Sequence, residues 1–183
     1  MQMRPDIQIA CMTKAMMDVV IPAVDPANKL ALEQSQLIVG MLTLMARQLP
    51  LQFSFDRDEL KRLAGSAPRL ESISIVDEHA AAAKSRFLDG CAQAEEILDK
   101  CQIDPAVLLE SIKELRRALG EIVLTVAESN DKSAQLDVET AVLDLSREQL
   151  LRDRSLMVTQ GFESDPAAIP SIESLLDLHS AEG

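Results

Sequence analysis

The 183 residues include no tryptophan, no tyrosine and only four phenylalanines. Strands lean on aromatic and β-branched side chains, so this scarcity argues against a sheet. It also removes the rings on which single-stranded bases stack. Glycine is rare, at six residues. No G-x-G-x-x-G, phosphate loop or G-x-S-x-G occurs, so neither a nucleotide cradle nor a nucleophile elbow is expected. Histidine occurs twice, as His79 and His179. A di-iron carboxylate bundle needs Glu-x-x-His on two helices, and the residues at the Glu positions here are Val76 and Leu176. The three cysteines, Cys11, Cys91 and Cys101, lack metal-ligand spacing. Their odd number fits a reducing compartment, where buried thiols on helix stripes act as apolar filler. No metal and no cofactor is expected.

Positive charge is also in short supply. Eighteen Lys and Arg face thirty Asp and Glu, for a net charge of −12. Phosphate backbones and anionic lipid surfaces repel such a chain, which speaks against nucleic acid and membrane as partners. The start "MQMRPDIQIA" has no long apolar core behind a basic residue and does not read as a secretion signal. The longest apolar run, "LIVGMLTLMA" at 37–46, is half the roughly 20 residues of a membrane span. The expected location is the cytoplasm.

What is present favours helix: Ala, Leu, Glu, Gln, Arg and Met dominate. "DPA" recurs at 25–27, 104–106 and 165–167, a pattern of Asp N-cap followed by Pro at the first helical position. Apolar spacing predicts helices over 5–21 and from about 26 to 49. "PLQFSF" alternates Leu51, Phe53 and Phe55, which predicts a short extended crossing near 50–55. In "FDRDEL", Asp56 and Glu59 have the spacing of a capping box, and Phe55 with Leu60 that of a hydrophobic staple. A stripe from Ile73 and Val76 through Cys91 to Cys101 predicts one long helix. Leu108, Ile112, Leu115, Leu119, Ile122 and Val126 alternate steps of 4 and 3, which predicts another over 105–128. After the polar "SNDKS" a last helix over 134–160 should end at Gly161 as a left-handed cap.

These elements add up to an all-α, up-and-down bundle of about five long helices spanning 1–161. Residues 1–49 form a Met-rich apolar hairpin and 56–161 the long helices. Residues 162–183 read as an acidic tail, partly disordered or bearing a short helix that docks through Ile172, Leu175 and Leu176.

Seven of the eight methionines precede residue 46, within a segment, residues 1–55, where four acids and four bases cancel. The first two helices carry more apolar surface than one seam can use, so Met12, Met16, Val19, Val20, Met41 and Met45 are expected at a two-fold homodimer interface. The polar group Asn28, Lys29, Glu33 and Gln34 reads as a solvated helix face or as a pocket lip. His79, beside Asp77 and Glu78, reads as an exposed helical residue or a general base. No catalytic residue is assigned.

The stretch from Arg4 to Leu51 resembles the start of an uncharacterised bacterial all-helical family. Its members open with Arg-Pro, an amphipathic helix, a Leu/Val-Pro-Ala-x-Asp turn and an Ala/Leu-rich second helix. Arg4, Pro5, Pro22, Ala23, Asp25 and Leu30 match that pattern. Such proteins tend to accompany aminoglycoside-phosphotransferase-like kinases. The resemblance implies an accessory role beside a small-molecule kinase or an enzyme of acyl-CoA-type catabolism, and it brings no catalytic residue with it. Two functions are therefore carried forward. One is a non-enzymatic protein acting by association; the other is a bundle whose Met-lined interior takes an apolar or acyl ligand.

Overall fold

The computed structural model describes residues 4–178. It is all-helical, with no strand among those residues, and no helix is long and apolar enough to cross a membrane. The chain forms two compact units, residues 1–52 with 154–172, and residues 53–153 with 173–183.

In the first unit α1 (Pro5–Ala15) continues through a π-helical turn, Met16–Val20, into α2 (Ile21–Ala23). A five-residue loop returns the chain into α3 (Lys29–Gln48), which packs along α1. Helix α3 begins later than the sequence reading places it. Asp25 accepts from the amide of Ala27 at 2.9 Å and shapes the loop, while the side chain of Asn28 accepts from Ala31 N and caps the helix. Near the other end of this unit, Ser155 Oγ donates to Pro170 O at 2.7 Å, and Arg154 forks onto Glu163 at 2.9 and 2.6 Å. Gly161 takes the left-handed conformation (φ 76°) expected of a helix-ending glycine. Ile172 is buried at the start of α9 (Ile172–Leu175).

The second unit opens with α4 (Gln52–Gly65), and here the expected extended crossing near 50–55 is corrected. A turn closed by Leu49 N to Met45 O and Leu51 N to Gln48 O, both 2.9 Å, confines the break to residues 49–51. Helix resumes at once, because a three-residue alternation has no strand to pair with, whereas Glu59, Leu60, Leu63 and Ala64 supply a helical buried face. Asp56 and Glu59 therefore sit inside a helix rather than at its cap.

Helix α5 (Ala67–Glu71) follows, and the chain is then non-helical to Asp77. The single helix expected through Ile73 and Val76 is broken there. Ile73, Ile75 and Val76 are β-branched, and Ser72 and Ser74 compete for backbone bonds. Lys84 Nζ donates to Ile73 O at 2.7 Å, and Asp77 caps α6 (Glu78–Leu98) through Ala80 N.

Helix α7 (Pro105–Glu128) covers the expected span, with Asp104 accepting from Ala106 N at 2.8 Å. Asp131 then caps α8 (Lys132–Met157) through Ser133 N and Ala134 N. The amide of Gln135 donates to the carbonyls of Val126, Ala127 and Ser129, satisfying the end of α7. Helices α6 and α7 pack along one another in this unit. Phe87, Leu60, Leu70, Leu108, Ile112 and Ile122 lie at its centre, fully or almost fully removed from water.

Candidate functional site

Two features stand out, one in each unit. The first is the outward face of the α1–α3 hairpin. Among the described residues, eleven of the twenty-one large apolar side chains exposed to solvent precede residue 50. On α3 they are sorted by angle. Leu32, Ser35, Val39 and Leu42 are shielded along one side, while Glu33, Gln36, Thr43 and Arg47 form a polar side. Leu30, Leu37, Ile38, Met41 and Met45 form a third, exposed and mainly apolar stripe that also carries Gln34 and is bordered by the buried Leu44.

Of the expected interface residues, Met12, Val19, Val20, Met41 and Met45 are exposed, and Met16 is half-buried. The π-helical turn explains the divergence within α1. Ile9, Thr13 and Met16 are the shielded line, and the next shielded residue is Ile21, five positions on. One extra residue in that turn rotates Val19 and Val20 outward, where an unbroken 3–4 spacing would hold Val19 in line with Met16.

Asn28 is spent on the α3 cap, and Lys29, Glu33 and Gln34 are solvent-exposed and line none of the four clefts of the second unit described below. His79 is exposed in the first turn of α6.

The cysteines divide. Cys91 is buried, with its thiol pushed up to about 12 mainly by burial and secondarily by Glu95. Cys11 and Cys101 are exposed, which corrects the expectation of three buried thiols. Cys11 lies off the shielded line of α1, and Cys101 lies beyond the end of α6 at Leu98.

The second feature is a polar junction where α4, α7 and α8 meet. Glu59 is buried, its side chain 6% exposed, and Arg116 Nε donates to its Oε1 at 2.5 Å. Burial raises the Glu59 carboxyl above its ordinary range, with Arg116 and then Arg62 pulling it back. At the preceding residue, Asp58 Oδ2 accepts from both Arg62 Nε at 2.8 Å and Arg152 Nε at 2.6 Å. Arg62 also donates to Gln149 Oε1 at 2.7 Å. These side chains border two clefts. One, of about 290 Å³, has Glu59 and Arg116 with Leu119, Leu145 and Leu150 on its walls. The other, of about 560 Å³, has Asp58, Arg62 and Arg152 with Lys61, Arg69 and Asp144.

Two further clefts lie in this unit, one of about 540 Å³ along α6 and α7 and one of about 300 Å³ beside Arg69 and Asp137. No cluster of three or more His, Cys, Asp or Glu with metal-binding geometry occurs among the described residues.

This junction was not foreseen from sequence. The i,i+4 pair Asp58–Arg62 is the one signal that marks it, and it is also the commonest pattern on any solvated helix. Comparison with protein-family models, curated proteins and solved structures returns no match.

Proposed function

We propose that this protein acts by association, as a non-enzymatic cytoplasmic helical bundle whose α1–α3 hairpin pairs with the same hairpin of a second copy. The observation that carries this reading is the exposed stripe of Leu30, Leu37, Ile38, Met41 and Met45. Eleven large apolar residues before position 50 are exposed. The largest apolar patch on a typical monomer is roughly 300–600 Å², and a stable interface uses about 800 Å² per partner. Charge supports a second copy as the occupant. Two chains of charge −12 repel, and the repulsion is least where residues 1–55, with equal numbers of acids and bases, face each other. A two-fold axis would lay the stripe on itself. The resemblance of this region to companions of kinases extends the reading to an enzyme as a second partner on the same face.

Sedimentation velocity at micromolar concentration tests it. The expected mass is twice the 20.0 kDa of the chain. Met41→Glu with Met45→Glu should give a monomer of unchanged helicity. Leu136→Glu, at an exposed position of α8 in the other unit, should leave the dimer intact. A wild-type monomer, or dissociation by Leu136→Glu, refutes the assignment.

A further inference from the structure

The exposed stripe on α3 is in part a stripe of sulfur. Met41 and Met45, 52 and 49% exposed, lie one helical turn apart on it. On the neighbouring α1 and its π-helical turn, Met12 and Met17 are also exposed, whereas Met16 and Met157 are half-buried. The exposed methionines among the described residues thus all fall on the hairpin proposed above to pair with a second copy.

Methionine differs from leucine in one chemical respect: its thioether can take up an oxygen atom. A sulfur lone pair attacks the terminal oxygen of a hydroperoxide, an S–O bond forms as the O–O bond breaks, and the hydroxyl proton passes to the departing oxygen. The thioether is oxidised by two electrons to a sulfoxide, and the hydroperoxide is reduced to water or an alcohol. The product is polar, and its oxygen accepts hydrogen bonds. Leu30, Leu37, Ile38, Met41 and Met45 bring no side-chain donor to meet it. The side-chain donors along this line are Gln34 and Gln48, seven positions before and after Met41. Gln36, Thr43 and Arg47 stand on another side of the helix, and the Thr43 hydroxyl is spent on Val39 O. A self-paired stripe would bury sulfoxides largely without partners, which opposes association.

We infer that Met41 and Met45 are an oxidation switch for this pairing: hydroperoxides convert them to sulfoxides in the free chain, and the oxidised chain does not pair again. The inference rests on the self-association proposed above. Pairing shields both sulfurs, so the monomer is the reactive species and each oxidation withdraws a chain from the dimer. Sulfoxides at both positions of both chains should weaken the dimer roughly a hundred-fold or more. Sulfoxide reductases return the thioether, which makes the switch reversible.

Cys11 and Cys101 also present exposed thiols to peroxide, so the test uses the full chain carrying Cys11→Ser and Cys101→Ser. With hydrogen peroxide in excess, oxygen uptake at each methionine is followed by peptide mass spectrometry and mass in solution by sedimentation velocity. Uptake at Met41 and Met45 should convert dimer to monomer at unchanged helicity and should slow as protein concentration is raised. Methionine sulfoxide reductases of both stereospecificities should restore the dimer. Met41→Leu with Met45→Leu keeps the stripe apolar and should stay dimeric through the same treatment. A dimer that survives oxidation of Met41 and Met45 overturns the switch while leaving self-association intact, and so does dissociation of the leucine variant by peroxide. A chain already monomeric before peroxide is added refutes the pairing itself, and the switch with it.

Discussion

Replacing glycine by alanine at two positions of the second unit should have opposite consequences, and the structure sets the sizes. At Gly120, exposed in the middle of α7, a new Cβ meets nothing within 4 Å. Only the helix preference of alanine then counts, worth about 1 kcal/mol of added stability. At Gly90, within α6, the same Cβ lies 2.9 Å from Leu115 Cδ2. Leu115 is itself 2% exposed and held in the core, so it has little room to withdraw. Crowding a packed core costs about 1–3 kcal/mol, which cancels or outweighs the preference gained. The expected outcome is a rise of roughly 2–4 °C in the unfolding midpoint for Gly120→Ala and no rise, or a fall of similar or greater size, for Gly90→Ala. Both positions belong to one compact unit and should report on one transition, followed by far-ultraviolet circular dichroism. An equal rise for both variants would refute the reasoning, since it would mean that α6 and α7 do not approach as closely as Gly90 requires.

Removing the shared carboxylate by Asp58→Ala leaves Arg62 and Arg152 unpaired in a shielded place and should destabilise the protein by about 3–5 kcal/mol, measured by urea unfolding. Glu59 should impose a pH dependence of definite sign. Its folded pKa is raised above 4.5, so the folded state holds the proton more tightly, and its contribution is largest below 4.5 and is lost as pH rises through the folded value. Glu59→Gln should flatten that decline in unfolding midpoints taken across the acidic range; an unchanged slope counts against it. In the native protein, alkylation followed by mass spectrometry should label Cys11 and Cys101 within minutes and spare Cys91 until denaturant is added.

Legibility differed from helix to helix for physical reasons. Helix α7 was readable end to end because its signals are strong and local: an aspartate cap, a proline at the first position and an uninterrupted 4–3 apolar rhythm. Helix α1 was readable only in part. The π-helical turn at Met16–Val20 adds a residue to one turn, and every apolar assignment beyond it rotates. The run Leu51, Phe53 and Phe55 suggested an extended crossing because alternation over three side chains fits either period, and nothing local separates them. Glu59 was misjudged for a related reason: three residues from Asp56 is the spacing of a capping box, and only the helix start at Gln52 removes that role.

Chain chemistry alone determined that this protein is helical and where most of its helices turn, because i to i+4 bonds and N-caps form between residues a few positions apart. Tertiary structure decided which stripes are covered and which stay bare. Asp58 and Arg152 are 94 positions apart, and no local pattern announces that they meet. Bringing such residues together in a shielded place makes their charge consequential, and that depends on how whole helices pack.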